Sequence, residues 1–298
     1  MLLQQLVIGL TIGSIYALVT IGFNMVYGVL ELTNFAHGSF YMLGAYFTMF
    51  TMTRLIGRVT IDGFLIALLM SMVTTGTLGA LMNKITLEPV RKQNGAPITA
   101  LLITVGVQTA IDNSVLLLFG TVPLPFPDAF QLGKFKVAGG TIITYLQIIL
   151  FILAIILMIV LSHIVYRTKL GTGMRAISQN RNAAQIVGID VNRIITITFF
   201  IGVAVAAISG TMVGTYYGRV DSIMSSSVSL KAFAAAVLGG MGSLPGAMLG
   251  GIIIGIVETL FATYVSSGFR DVVAFIILFV VLIIRPSGLF GLKENTKV

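Results

Sequence analysis

Residues 2–30 read LLQQLVIGLTIGSIYALVTIGFNMVYGVL, with no charged side chain anywhere in the run. A helix needs about 20 predominantly apolar residues to cross the hydrocarbon core of a bilayer, and this run exceeds that. It lacks the basic n-region of a cleavable leader and is longer than a leader's apolar core, so it reads as a first membrane helix, Leu3–Tyr27. Further apolar runs follow at Phe40–Thr53, Gly63–Asn83, Ile98–Phe119, Ile142–Tyr166, Ile194–Tyr217 and Asp271–Ile284. The second is short and borrows from its flanks. The stretch Leu230–Tyr264 is too long for one simple span, and Gly239-Gly240-Met241-Gly242-Ser243-Leu244-Pro245-Gly246 interrupts it. Proline removes a backbone donor and glycine costs backbone entropy. Gly239, Gly240, Gly242 and Pro245 therefore mark a break or hinge between two spans or half-spans. The expected architecture is an all-α integral membrane bundle of about nine transmembrane helices or half-helices, forming one domain over residues 1–298.

Composition agrees. Of 298 residues, 57% are hydrophobic and 9% charged, against about 25% charged in a soluble domain. The 33 glycines suit close helix packing in lipid. There is no cysteine, which excludes disulfides and thiolate metal sites, and His37 and His163 are too few and too far apart for a histidine metal cluster. A net charge of +8 could suggest nucleic acid. The basic residues instead concentrate in short loops between apolar runs, where membrane topology places them, so no nucleic-acid partner is expected.

Those loops orient the chain. Lys84, Arg91 and Lys92 share one. Arg167, Lys169, Arg175, Arg181 and Arg193 lie in or flank a second, and Lys293 and Lys297 lie in the tail. The positive-inside rule puts all three in the cytoplasm. That requires an odd number of crossings, an outside N-terminus and a cytoplasmic C-terminus. Arg54 and Arg58 then fall outside, against the rule. The longest non-cytoplasmic loop, Gly120–Gly140, carries Pro123, Pro125 and Pro127 and is too small for a receptor domain.

No catalytic constellation is visible. The glycine cluster lacks the Lys-Ser/Thr of a phosphate-binding loop, and there is no GxSxG or HExxH, so an enzyme is not expected. A self-sufficient channel or secondary transporter would need an ion-coupling group in the membrane, for which Glu258 or Asp112 could serve, but there is no carboxylate ladder and no inverted repeat.

The polar segment 167–193 is the exception to the apolar pattern. Its centre, Gly173–Val187, has few helix breakers, Gly171 and Gly173 precede it, and Gly188 follows as a C-terminal stop. The pattern predicts one short helix of about 20 Å on the cytoplasmic face. Such a helix can rest on lipid headgroups or dock in a protein groove. The small residues Ala176, Ala183 and Ala184 favour docking, since a lipid anchor would use bulky apolar groups.

The run Gly173-Met174-Arg175-Ala176-Ile177-Ser178-Gln179-Asn180, with Ala183-Ala184 and Gly188-Ile189-Asp190, resembles the coupling-helix region of branched-chain amino acid ABC importer permeases. Three other runs resemble the same family: Tyr27-Gly28 with Asn34-Phe35-Ala36-His37-Gly38; Lys231-Ala232-Phe233-Ala234-Ala235-Ala236-Val237-Leu238-Gly239-Gly240-Met241-Gly242-Ser243; and Arg285-Pro286-Ser287-Gly288-Leu289-Phe290-Gly291. The likeness covers nearly the whole chain and best fits the first of two permease subunits. Permeases for urea and short amides share most of these runs. The resemblance implies a bacterial inner-membrane assembly of two permease subunits, in which this chain would pair with a different one. Two cytoplasmic ATPases would bind ATP, so that this chain needs no cofactor, and a periplasmic amino-acid-binding protein would deliver the substrate. It implies that Arg175, Ala176, Asn180, Ala183, Ala184 and Gly188 make or shape the ATPase contact. The related vitamin B12 importer fold has ten helices, and loss of the first would leave nine.

Polar groups within spans carry two readings each. Glu258 would cost several kcal/mol facing lipid, and either pairs with a neighbouring helix or lines the pathway. A single acidic group favours pairing, and the same holds for Asp112 beside Asn113. Asn34 and His37 lie between the first two spans, either as a helix-capping turn or as a pathway-lining one. Lys231 is expected near a membrane surface, snorkelling outward. A largely apolar pathway suits aliphatic amino acids, and no tight intramembrane site is expected.

Overall fold

A computed structural model describes residues 2–57, 59–93, 95–130, 132–137, 140–285 and 287–291, with only the backbone of Val137. Arg58, Pro286, Lys293 and Lys297, used above, lie outside the described residues.

The helices are α1 (Leu2–Leu30), α2 (His37–Phe50, continued by a π-helical stretch Thr51–Ile56), α3 (Ile61–Met82, continued through a π-helical Asn83–Leu87), α4 (Glu88–Lys92), α5 (Pro97–Phe119), α6 (Tyr145–Arg167), α7 (Lys169–Gln179), α8 (Arg181–Ile186), α9 (Val191–Tyr217), α10 (Met224–Gly239), α11 (Leu244–Tyr264) and α12 (Val272–Ile284). Among the described residues, six helices are long and apolar enough to cross a membrane: α1, α3 with its extension to Lys92, α5, α6, α9 and α11. The other apolar runs fall on the shorter α2, α10 and α12. The chain is thus a polytopic, helical membrane protein.

Several boundaries differ from expectation for local reasons. The run expected to start a span at Ile142 opens instead as a strand. There β3 (Thr141–Thr144) pairs antiparallel with β2 (Lys134–Val137), and its β-branched residues suit a strand. Thr144 then starts α6 with a full capping box, its hydroxyl accepting from Gln147 N while Gln147 accepts from Thr144 N. A second small pairing joins β1 (Leu124–Pro125) to β4 (Arg219–Val220), so the proline-bearing loop is tethered to the end of α9. The supposed loop around Lys84 is helical throughout, α3 running through its π-turn into α4.

The centre is α1 and α9. α1 packs on α11, α9, α10 and α6, and α9 also packs on α2 and α3. Glycine permits the α1–α11 approach. A Cβ at Gly251 would meet the Ala17 backbone, and one at Gly255 the Gly13 backbone. In lipid, where burial against other hydrocarbon gives no driving force, such small-residue contact supplies the association through van der Waals packing. α9 has 27 residues, about 40 Å at 1.5 Å each. One end of the bundle therefore holds α7 and α8, and the other, the far end, holds Tyr217, β4 and the start of α12. α1 starts at the far end, where Gln4 Oε1 accepts from Ile142 N at 2.7 Å.

Candidate functional site

At the α8 end, the expected single helix is two. Thr168 caps α7 by accepting from Gly171 N, and Asn180, in an extended conformation, caps α8 by accepting from Ala183 N at 2.9 Å. A side chain that caps one helix ends the one before it, so the segment turns at Asn180. Gly171 and Gly173 lie inside α7 because it packs closely: a Cβ at Gly171 would collide with the carbonyls of Ile164 and Val165. α8 closes with a Schellman motif. Ile189 N donates to Ala184 O and Gly188 N to Gln185 O, both at 3.0 Å, and Gly188 takes φ +85°.

The six residues expected at this contact separate. Asn180, Ala183 and Gly188 are exposed, Arg175 and Ala176 are half-buried, and Ala184 is 3% exposed inside the core. Arg175 folds back, donating from Nη1 to the Val165 carbonyl at the end of α6, with its guanidinium 5.9 Å from the Tyr166 ring centroid. In their place stand Ile186 and Val187, 86% and 74% exposed. Two adjacent branched apolar residues ahead of the glycine stop were the signal that sequence reasoning passed over.

The glycine-rich break sits at the same end. α10 ends at Gly239 and α11 begins at Leu244, with Gly240 and Gly242 at φ +101° and +84°. Pro245 lies in the first turn of α11, where a missing donor costs nothing. Asn24 of α1 clamps this turn: its Nδ2 donates to Ser243 O and its Oδ1 accepts from Gly242 N, both at 2.8 Å. The segment Ser287–Gly291 clamps it from outside, Leu289 N and Phe290 N donating to the carbonyls of Leu238 and Gly239 at 2.9 Å. Asn24 was missed; an amide side chain deep within an apolar helix was its only trace.

Between α1 and α2 the chain folds back into the membrane. His37 Nε2 lies 3.2 Å from the Val19 carbonyl, eleven residues or about 16 Å before the end of α1. Asn34 shapes the turn, its Oδ1 accepting from Ala36 N at 3.2 Å and its carbonyl from His37 N at 3.3 Å. Both side chains are buried, and Asn34 Nδ2 and His37 Nδ1 have no hydrogen-bond partner among the described residues. Nearby, Asp112 accepts from Ser39 Oγ at 2.6 Å, joining α5 to α2, while Asn113 is exposed and bonds back to its own helix.

Toward the far end, the charged groups that looked isolated in sequence meet. Glu258 is 1% exposed. Its Oε1 accepts from Lys231 Nζ at 3.0 Å, from Tyr16 OH at 3.2 Å and from Arg270 Nε. Lys231 does not snorkel. It is 5% exposed and also donates to Asp271 Oδ1 at 2.7 Å. Arg270 Nη2 reaches Tyr217 OH at 2.8 Å, and Ser227 Oγ reaches Asp271 Oδ1 at 3.2 Å. Antiparallel α10 and α11 bring Lys231 and Glu258 to one level. A single charge there would be costly, whereas two cations and two carboxylates compensate one another.

The described residues contain no group of three or more His, Cys, Asp or Glu able to hold a metal ion. The features this geometry offers are therefore a glycine break held at two points, an apolar exposed tip on α8, and a neutral charge network toward the opposite end.

The family model described as the permease component of the branched-chain amino acid transport system matches residues 5–282. The chain is similar to the high-affinity branched-chain amino acid transport system permease protein BraD of Pseudomonas aeruginosa, with 37% identity over 99% of this chain and 98% of the relative. It is 35% identical to the corresponding permease protein LivH of Escherichia coli K12, over 99% and 97% of the two chains. It is 28% identical to a probable branched-chain amino acid transport permease of Methanocaldococcus jannaschii, over 93% and 89%. No solved structure matches. These relatives are transport permeases and not enzymes. The chain belongs to the branched-chain amino acid transport permease family.

Proposed function

We propose that this chain is a permease subunit of an ATP-driven importer that carries branched-chain amino acids across the bacterial inner membrane. Its full-length likeness to high-affinity branched-chain permeases carries the reading. In the proposed assembly a second, different permease subunit completes the path, two ATPases on the cytoplasmic side bind the ATP, and a periplasmic binding protein delivers the substrate. The chain acts as one transmembrane domain over 1–298 with nine crossings and a vitamin B12 importer-like arrangement, its N-terminus periplasmic and its C-terminus cytoplasmic. Placing the basic α7–α8 segment inside agrees with the charge bias of short loops.

The α7–α8 hairpin is the proposed coupling element. Support comes from its exposed Asn180, Ala183, Ile186, Val187 and Gly188, since paired apolar side chains projecting from a polar segment suit a groove in a partner protein. Arg175, Ala176 and Ala184 shape the hairpin from within. The break Gly239–Pro245, pinned by Asn24, is the proposed hinge. Asn34 and His37, each with a buried nitrogen that has no partner among the described residues, are proposed for the pathway, together with the network around Glu258. The second permease is proposed to cover α5, whose exposed Thr109 and Asn113 are unsuited to hydrocarbon.

Reconstitution tests the reading. In proteoliposomes containing both permeases and both ATPases, added binding protein and ATP should drive uptake of radiolabelled leucine, and the purified chain alone should hydrolyse no ATP. Uptake of urea or acetamide without leucine would replace the substrate, and leucine flux through the chain alone would make it a channel or secondary transporter.

A further inference from the structure

At the far end of α9 a cavity of about 310 Å³ opens between α1, α2, α9, α10 and the head of α12. That volume falls in the range of about 300–1,000 Å³ typical of small-molecule sites. Ile223, Met224 and Val228 supply aliphatic wall, and Tyr41, Arg270 and Asp271 supply polar groups.

The charges around it balance. Arg219, Lys231 and Arg270 are offset by Asp221 and Asp271 in the wall and by Glu258 bonded to Lys231, three against three. An anion or a cation alone would leave this set of charges unbalanced, whereas a zwitterion adds none.

The remaining bonding capacity is also dipolar. Lys231 spends its three N–H bonds on Tyr16, Glu258 and Asp271. Arg270 uses two nitrogens, on Glu258 and Tyr217, and a guanidinium has five N–H donors. The Tyr41 hydroxyl is buried and has no partner among the described residues. Both bonds to Asp271 fall on Oδ1, and its side chain is 62% exposed, leaving Oδ2 to accept.

We propose that this cavity holds one free aliphatic α-amino acid as its zwitterion. The α-carboxylate bonds to Arg270 and the Tyr41 hydroxyl, the α-ammonium to Asp271 Oδ2, and the branched side chain lies on Met224, Ile223 and Val228. The inference rests on the branched-chain permease reading and adds where in this subunit the solute is held. Binding is loose, because most of the network's bonds are already spent within the protein, and a site on a transport path must release what it takes up.

Photolabelling tests it. The complete importer in proteoliposomes is irradiated with L-photo-leucine and the adducts are mapped by mass spectrometry. Label is expected on residues 223–231, suppressed by excess leucine but not by isocaproate, which lacks the ammonium, or isoamylamine, which lacks the carboxylate. Tyr41→Phe and Asp271→Asn should each lower leucine-protected labelling by about tenfold, the loss of one charge-assisted hydrogen bond. Tyr41→Phe removes one oxygen that has no partner among the described residues, so it decides the matter even if Asp271→Asn fails to assemble. Leucine uptake without label in the cavity would overturn the site while leaving the permease reading intact. Displacement by isocaproate as effective as by leucine, or unchanged labelling in Tyr41→Phe, would also overturn it. Absence of leucine uptake, with another solute carried, would remove the permease reading on which it rests.

Discussion

Asn24 shows how one side chain governs a backbone feature far away in sequence. Its amide supplies both a donor and an acceptor to the turn 218 and 219 residues onward. Asn24→Ala would leave Gly242 N–H without its partner and take from Ser243 C=O one of its two donors, Ala247 N remaining at 2.9 Å, a loss of about 1 kcal/mol for each hydrogen bond. The variant is expected to unfold in detergent at a clearly lower temperature than the parent, while Asn24→Asp, which keeps the acceptor, falls between them. Equal melting temperatures for Asn24→Ala and the parent would show that the clamp contributes nothing. The other polar residues of the spans are likewise legible only as types. That Glu258 pairs was the simpler expectation, but its partners Lys231, Arg270 and Tyr16 could not be named from hydropathy.

At the scale of elements, the α7–α8 hairpin separates fold from contact. Asn180 holds the turn between the helices, so Asn180→Ala should cost about 1 kcal/mol locally, the usual loss of an N-cap. Ile186 touches solvent over most of its surface, and its replacement should leave the permease folded. Ile186→Glu is therefore expected to abolish ATPase co-purification and ATP-driven uptake with an unchanged melting temperature. Ala183→Glu should do the same more weakly. Ala184→Glu should instead lower stability, since that methyl is in the core. Full uptake by Ile186→Glu would remove the hairpin tip from the coupling surface. The basic content and the glycine stop of this segment were readable, because both are local signals. The break at Asn180 was not, because an asparagine inside a helical pattern is compatible with either a continued helix or a cap until its side chain finds a donor.

For the whole molecule, the informative surface is the one that contradicts its solvent. α5 is mostly exposed, and alongside Ile98 and Leu102 it presents Thr109 and Asn113, groups that hydrocarbon penalises. A second subunit against this face resolves the conflict. The native chain has no cysteine, so Thr109→Cys or Asn113→Cys gives a single probe in an unaltered background. Oxidation of membranes carrying either variant and a cysteine-scanned partner permease should give a cross-linked pair on denaturing gels. Reaction with lipid-phase maleimides alone, and no cross-link at any partner position, would place α5 against lipid instead.

Membrane residence, the position of most spans, the glycine-rich break and the exceptional character of 167–193 are all legible in the order of residues alone. Each depends on the composition of a contiguous stretch, and transfer of a contiguous stretch into lipid is a local free energy. Which buried polar groups meet is set by the folded packing: Tyr16 with Glu258, 242 residues apart, Lys231 with Glu258, 27 apart, and Asn24 with the break. Those pairings depend on which helix faces lie together and at what height. In lipid that is settled by the close packing of small residues such as Gly13, Ala17, Gly251 and Gly255, a condition on pairs of helices that no single stretch of sequence contains.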